Sequence, residues 1–393
     1  MKNIKIQSNK PIYGEIELSG DPIDSIVLAT FAIFSKVPVE IKNVPRCIKV
    51  LKYFELLRAI KVDVEWINSD TVRVFVKEQL EIDLSGLINP DNHLEIGLMI
   101  PALLFRSKEC ILTSSMRGEL KFYREMGIEV NTSYNRYHLK LPLSNSAVSQ
   151  KRINLNKSHD LLLASRLFFQ RIYPSLSVVY QETSSLLSCL DFQISPEVEK
   201  SYLVGHNKLE FRMFVAAAIV SKGEISLSSF NLADSLEYLL ELEKIGCSYE
   251  VTKNKIKIWY ETKKLSQFYD FSGHEFSEIG YFALILSLFS KNTTQILCVS
   301  DEIIENIVKD LNIIGCRIDS QSQADYKVLN IKPRITIAIF KTEVVSANLA
   351  GILFAAALSV KGTSIIRNFD ILEDYVNFIS EKFKKLHIDV TFG

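Results

Sequence analysis

Apolar residues along this chain follow one pattern that recurs six times. Each copy has a short helix that is apolar on every side, a Lys- or Gly-centred turn, a strand, an amphipathic helix ending near Gly, and one or two further strands. The fourth copy is the cleanest. Phe214-Val-Ala-Ala-Ala-Ile-Val220 lacks a polar face, Ser221-Lys-Gly223 interrupts it, and Glu224-Ile-Ser-Leu-Ser228 alternates as a strand. Asn231-Leu-Ala-Asp-Ser235 opens a helix whose apolar residues Leu236, Leu239, Leu240, Leu242 and Ile245 recur at three- and four-residue steps up to Gly246. Two strands around Lys253-Asn254 complete the copy. The same succession runs through residues 28–75, 98–141, 282–318 and 352–392, with one long helix expected from Asp370 to Leu386, and in shortened form from Leu161 to about Ile194.

A repeat of roughly 45 to 70 residues is too long for most solenoids and carries its own helices and sheet, so each copy reads as a βαβαββ-like unit of closed, pseudo-symmetric α/β domains. At 393 residues the chain exceeds one hydrophobic core, and two domains of three repeats each are expected.

Charge narrows the function classes. The 46 basic and 46 acidic residues cancel, so no bulk field points to nucleic acid or to an anionic membrane. Aromatic residues fall at core spacing and do not alternate with basic ones, as stacking platforms for bases would. The six cysteines (47, 110, 189, 247, 298 and 316) form no CxxC pair and no grouping with histidine, which predicts buried free thiols and no metal site. His159, His206 and His274 have no ligand spacing and are expected at the surface. The longest apolar stretches fall short of the roughly 18 to 20 residues that cross a bilayer, and no signal peptide is evident, so a cytoplasmic protein is expected.

Several segments carry a resemblance. Lys10-Pro-Ile-Tyr-Gly-Glu-Ile-Glu-Leu-Ser-Gly20, the apolar helix after it, Pro38-Val-Glu-Ile-Lys-Asn-Val44 and Leu51 to Val62 resemble the opening of the enolpyruvyl transferases. Ser201-Tyr-Leu-Val-Gly205 leading into Phe214 to Gly223, and Ser287-Leu-Phe-Ser-Lys-Asn-Thr-Thr294, are similar to segments of the phosphoshikimate-type members. The resemblance covers essentially the whole chain. It implies an inside-out α/β barrel with two domains, residues 1–20 plus 206–393 and residues 21–205. It also implies transfer of the carboxyvinyl group of phosphoenolpyruvate to a hydroxyl of a phosphorylated acceptor, with release of phosphate and with no metal or cofactor. The phosphoshikimate type is the expected acceptor class, because the Cys-bearing loop of the UDP-sugar type is absent from Ile111-Leu-Thr-Ser-Ser-Met-Arg117.

Two anionic substrates in one cleft require Lys and Arg, since an unpaired buried anion is very costly. By the resemblance those cations belong after Ser19-Gly20, before the second apolar helix, and in the fifth and sixth repeats. Here the positions read Asp21-Pro22-Ile23-Asp24, Asn92-His-Leu-Glu-Ile-Gly97, Val299-Ser-Asp-Glu-Ile303 and Ser346-Ala-Asn348. What remains are Glu278, matching a catalytic or hydroxyl-positioning Asp; Arg117, near a donor-phosphate Arg; and Ser158, on a stretch that contacts the acceptor phosphate. Lys208, Arg212, Lys341 and Asn348 complete the expected substrate-binding set. Helix capping for Ser158, a first-turn carboxylate for Glu278 and a solvated loop cation for Arg117 explain the same residues without chemistry. The missing cations predict little turnover of the standard substrates. They leave open a paralogue that kept the fold without the reaction and serves a protein partner or regulatory ligand.

Overall fold

The computed structural model describes residues 2–8, 10–77, 79–89, 92–113, 116, 120–141, 152–155, 165, 168, 177–180, 200–230, 232, 239, 247–260, 268–270, 284, 287, 293–299, 302–323, 326–332 and 339–393. The chain divides into two compact units: unit 1 takes residues 1–20 and 205–393, and unit 2 takes residues 21–204.

Strands β1 (Ile4–Ser8) and β2 (Tyr13–Glu17) open the chain and belong to unit 1. Unit 2 follows with α1 (Pro22–Ala32), β3 (Val39–Lys42), α2 (Ile48–Ala59), β4 (Asp63–Trp66), β5 (Val72–Phe75), α3 (His93–Ser107), β6 (Glu109–Thr113), α4 (Leu120–Glu125), β7 (Glu129–Ser133), β8 (Arg136–Lys140), β9 (Arg152–Leu155), β10 (Ser177–Tyr180) and β11 (Lys200–Leu203). Its sheets are β11-β3-β5-β4, β6-β8-β7 and β10-β9. The helices α1 and α3 are buried along most of their length, as helices without a polar face must be.

Unit 1 resumes with α5 (Lys208–Ser221), β12 (Glu224–Ser228), β13 (Cys247–Thr252), β14 (Lys255–Tyr260), β15 (Phe268–Asp270), β16 (Thr294–Val299), α6 (Glu302–Ile313), β17 (Ile318–Gln323), β18 (Tyr326–Ile331), β19 (Lys341–Glu343), α7 (Ala347–Leu358), β20 (Gly362–Arg367), α8 (Ile379–Lys385) and β21 (Asp389–Phe392). Its sheets are β13-β14-β12-β2, β15-β16-β18-β17 and β19-β20-β1-β21. Each has the same plan, with one parallel edge strand beside an antiparallel set. In the first, the parallel edge is β2, registered Tyr13 to Glu224. In the last, β1 lies between β20 and β21, antiparallel to both, and supplies a strand that the sixth copy does not encode for itself. The helices α5 and α7 pack together at the centre of unit 1, with residues 210–220 and most of Ala347–Leu358 buried. The described residues show six small sheets and no closed barrel.

The Lys-Gly turns have a steric reason. A Cβ on Gly223 would lie 2.1 Å from the carbonyl oxygen of Ile12, and one on Gly362 would lie 2.7 Å from Ile339 Cγ2. At Gly223 the backbone leading into β2 leaves no room for a side chain, whereas at Gly362 the neighbour is a side-chain methyl and the positive φ of 128° is what favours Gly. Lys222 just before Gly223 is left-handed (φ 58°) and ends α5, with the Gly223 N–H bonded to Ala218 O.

One expected element breaks. Residues 370–386 form a 3₁₀ helix at Phe369–Asp374 and then α8, with Phe378 between them in the left-handed region (φ 52°). The Tyr375 carbonyl, which a continuous helix would give to residue 379, instead accepts a hydrogen bond from Asn207 Nδ2 at 2.7 Å. A tertiary partner therefore interrupts the helical ladder that the apolar spacing favours.

Candidate anion-binding site

The start of α5 gathers a group of buried and half-buried polar residues. Asn207 is its N-cap, with Oδ1 accepting from Glu210 N at 3.0 Å. The Asn-x-x-Glu spacing is that of a capping box, in which Glu210 would return to the Asn207 N–H. Here the box is split between two chain segments. The Asn207 N–H donates to Ser19 O at 2.7 Å, while Glu210 Oε2 accepts from Ser19 N at 3.2 Å and from Ser19 Oγ at 2.8 Å. Lys382 from α8 completes the group, donating from Nζ to Ser19 Oγ at 2.7 Å and also to Glu210 Oε1. Glu210 is wholly buried.

Lys208 and Arg212 stand one turn apart on the same helix. Burial pushes His206 down to about 3, and the nearby charges of Lys208 and Arg212 push in the same direction. The imidazole lies against Phe211 and Phe230, with ring centroids at 5.3 and 5.2 Å, and is neutral at physiological pH. His206 is therefore not the surface residue expected from sequence; it pairs with Gly20 as an antiparallel bridge, and the next residue, Asn207, caps a buried helix, which carries it inside. Two like charges at i and i+4 near the positive end of a helix dipole disfavour each other. Their sign suits a small anion.

The other positions of the expected cluster are closed or uncharged. Asp21 caps α1, its Oδ1 accepting from Ile23 N at 2.9 Å and Asp24 N at 3.1 Å, and Pro22 has no N–H to offer. A carboxylate of the chain itself thus occupies the helix N-terminus that would otherwise attract an anion. At the start of α3, Asn92 makes no side-chain cap, and the buried Glu95 is paired with Lys49 at 2.6 Å. Ser346 caps α7 through Leu349 N at 3.2 Å and leaves Asn348 in the first turn.

The expected residues separate accordingly. Lys208 and Arg212 come together on α5, and Asn348 sits on α7, which packs against it. Lys341 begins β19 and is exposed. Glu278, Arg117 and Ser158 lie outside the described residues, as do His159 and His274. Sequence reasoning missed Ser19, Asn207, Glu210 and Lys382; only the Asn207-x-x-Glu210 spacing ahead of an apolar run could have signalled part of the group.

Nothing described favours metal or thiol chemistry. No cluster of three metal-ligating side chains occurs among the described residues. Cys47, Cys110 and Cys316 are buried free thiols, and burial raises the Cys110 thiol well above its usual range, which keeps it protonated and unreactive. Among the described residues no helix is long and apolar enough to cross a membrane.

No family model matches the chain. The UDP-N-acetylglucosamine 1-carboxyvinyltransferase of Helicobacter pylori (strain ATCC 700392 / 26695) is 20% identical over 98% of this chain and 99% of its own. The protein of that name from Chlamydia trachomatis serovar D is 22% identical over 66% of this chain and 65% of its own. Among solved structures, the enolpyruvyl transferase NikO from Streptomyces tendae superposes with a TM-score of 0.76 at 16% identity, covering 100% of this chain and 98% of that one. An EPSP synthase from Acinetobacter baumannii superposes with a TM-score of 0.73 at 13% identity over the whole of both chains. The sequence similarity to these carboxyvinyltransferases and the fold shared with the two solved structures both run along essentially the whole chain.

Proposed function

We propose that this protein is a carboxyvinyltransferase that binds phosphoenolpyruvate and a phosphorylated acceptor, and that it turns over the two standard acceptors far more slowly than its relatives. The observation that carries this is the pair Lys208 and Arg212 on the first turns of α5, whose positive charge is felt by the neutral His206 beside them. The reaction would join the donor's vinyl carbon to the acceptor oxygen in a tetrahedral ketal and then expel phosphate, with Glu278 exchanging the proton and Arg117, Ser158, Lys341 and Asn348 completing the anion contacts. We assign the phosphoshikimate acceptor class on the Tyr202 segment and the missing Cys loop; the UDP-N-acetylglucosamine named for the curated relatives is the competing acceptor. The inside-out barrel of two three-repeat domains and a cytoplasmic location belong to the same proposal.

A second possibility, a paralogue that binds its ligand without turnover, is favoured by one observation. Asp21 and Pro22 close the α1 N-terminus where the resemblance puts a loop Lys. One lost transition-state donor typically costs about 10²- to 10³-fold in rate. Calorimetric titration with phosphoenolpyruvate, alongside phosphate release in the presence of shikimate 3-phosphate or UDP-N-acetylglucosamine, separates the two. We expect binding that weakens on Arg212→Ala, with phosphate release roughly 100-fold or more below the Helicobacter pylori enzyme assayed side by side. Binding with no release would assign the non-catalytic paralogue. Absence of binding would refute the α5 site.

A further inference from the structure

The chain passes between its two units twice, at Gly20–Asp21 and at Val204–Gly205. Within unit 1 both passages are fastened at one place by groups that lie far apart in sequence. Lys382 is separated from Ser19 by 363 positions and from Glu210 by 172. The three side chains form a closed ring: Lys382 donates to Ser19 Oγ and to Glu210, and Ser19 Oγ donates in turn to Glu210. Asn207 ties the ring to the turn before α8, donating from its backbone to Ser19 O and from Nδ2 to Tyr375 O, each at 2.7 Å. Gly20 and His206 then pair directly as an antiparallel bridge. Lys382 gives its protons to both partners, so in this ring it is a donor and not a base for the Ser19 hydroxyl.

We propose that the Lys382–Ser19–Glu210 ring, with Asn207, is a clamp by which the C-terminal helix α8 holds both inter-unit connectors, making Lys382 a positioning residue for each. Its members are the buried Glu210 and Lys382 and the half-buried Ser19. A ring of directional bonds fixes where each connector leaves, which apolar contact alone does not specify. The turn at Phe378 serves the same end, because the carbonyl freed at Tyr375 is the one that Asn207 takes.

Amide hydrogen exchange on the full chain tests this without any ligand, so failure of the proposed activity leaves the test intact. Two variants are compared with the parent. Lys382→Met removes the ring's donor, and Ser19→Ala removes one hydroxyl while keeping both charges and the fold. Peptides covering residues 17–21 and 204–212 should exchange about tenfold faster in Ser19→Ala, as expected for loss of a buried hydrogen bond. They should exchange faster still in Lys382→Met, while β16 and β18 in the same unit stay within about twofold of the parent. Lys382→Arg, which retains the charge opposite Glu210, should recover most of the protection. Unchanged exchange at the two connectors in Ser19→Ala would overturn the clamp. So would an acceleration spread evenly over unit 1, which would mean that the ring only stabilises the core.

Discussion

Acidification should weaken unit 1 through His206, by an amount that its surroundings allow to be worked out. The imidazole takes a proton near 6.5 in an unfolded chain and near 3 when folded, because burial, Lys208 and Arg212 all oppose the charge. The unfolded state therefore binds the proton first. The stabilisation is complete above pH 6.5 and is lost as pH falls through the window down to about 3. At pH 5 the unfolded imidazole has been drawn about 1.5 pK units into its protonated form while the folded one has not, which amounts to about 2 kcal/mol. One Trp falls in each unit, Trp66 in unit 2 and Trp259 on β14 of unit 1. A Trp66→Phe background therefore lets fluorescence follow the urea unfolding of unit 1 alone. Stability at pH 7.5 and pH 5 would be compared in that background with and without His206→Phe, a replacement suited to the faces of Phe211 and Phe230. The carboxylates cancel in the difference. The variant should lose about 2 kcal/mol less than its parent on acidification. Equal losses, or an imidazole titrating near 6 by NMR in the folded protein, would refute the account of a buried, cation-flanked His206.

Two further outcomes follow from local geometry. Asp21→Ala should destabilise unit 2 by about 1 kcal/mol in urea denaturation, because two α1 N–H groups lose their carboxylate, and an unchanged midpoint would deny the cap. Gly223→Ala should cost about 3 kcal/mol, the upper end for overpacking, because its Cβ meets the backbone of Ile12 at 2.1 Å, and calorimetric unfolding at parental temperature would contradict the strand passage drawn there.

The elements that could be recognised from the amino-acid order are those whose causes lie within a few residues. Phe214 to Val220 and Ile352 to Leu358 have no polar face, so each must be a helix surrounded by protein, and both are. Ser221-Lys-Gly223 marks the end of its helix, although the residue that turns left-handed there is Lys222, and the alternation of Glu224 to Ser228 makes a strand whichever neighbour it meets. The loss of cations at Asp21-Pro22 could be seen in the same way, although the carboxylate's employment as a helix cap needed the backbone geometry. Tertiary structure decided what depends on partners that are distant in sequence. The alternation of β1 and β2 does not say which sheets receive them, and only the fold sets β2 beside β12 and β1 between β20 and β21. The helix expected through Asp370 to Leu386 yields at Phe378 to a bond from Asn207, a competitor invisible to local propensity. His206 carries the same residue type as an exposed histidine, and its neutrality comes from rings and charges assembled around it. The Lys382–Ser19–Glu210 ring lies deepest in this second class: each member reads singly as an ordinary polar residue, and their chemistry exists only because folding closes chain loops of 172 and 363 positions onto one point.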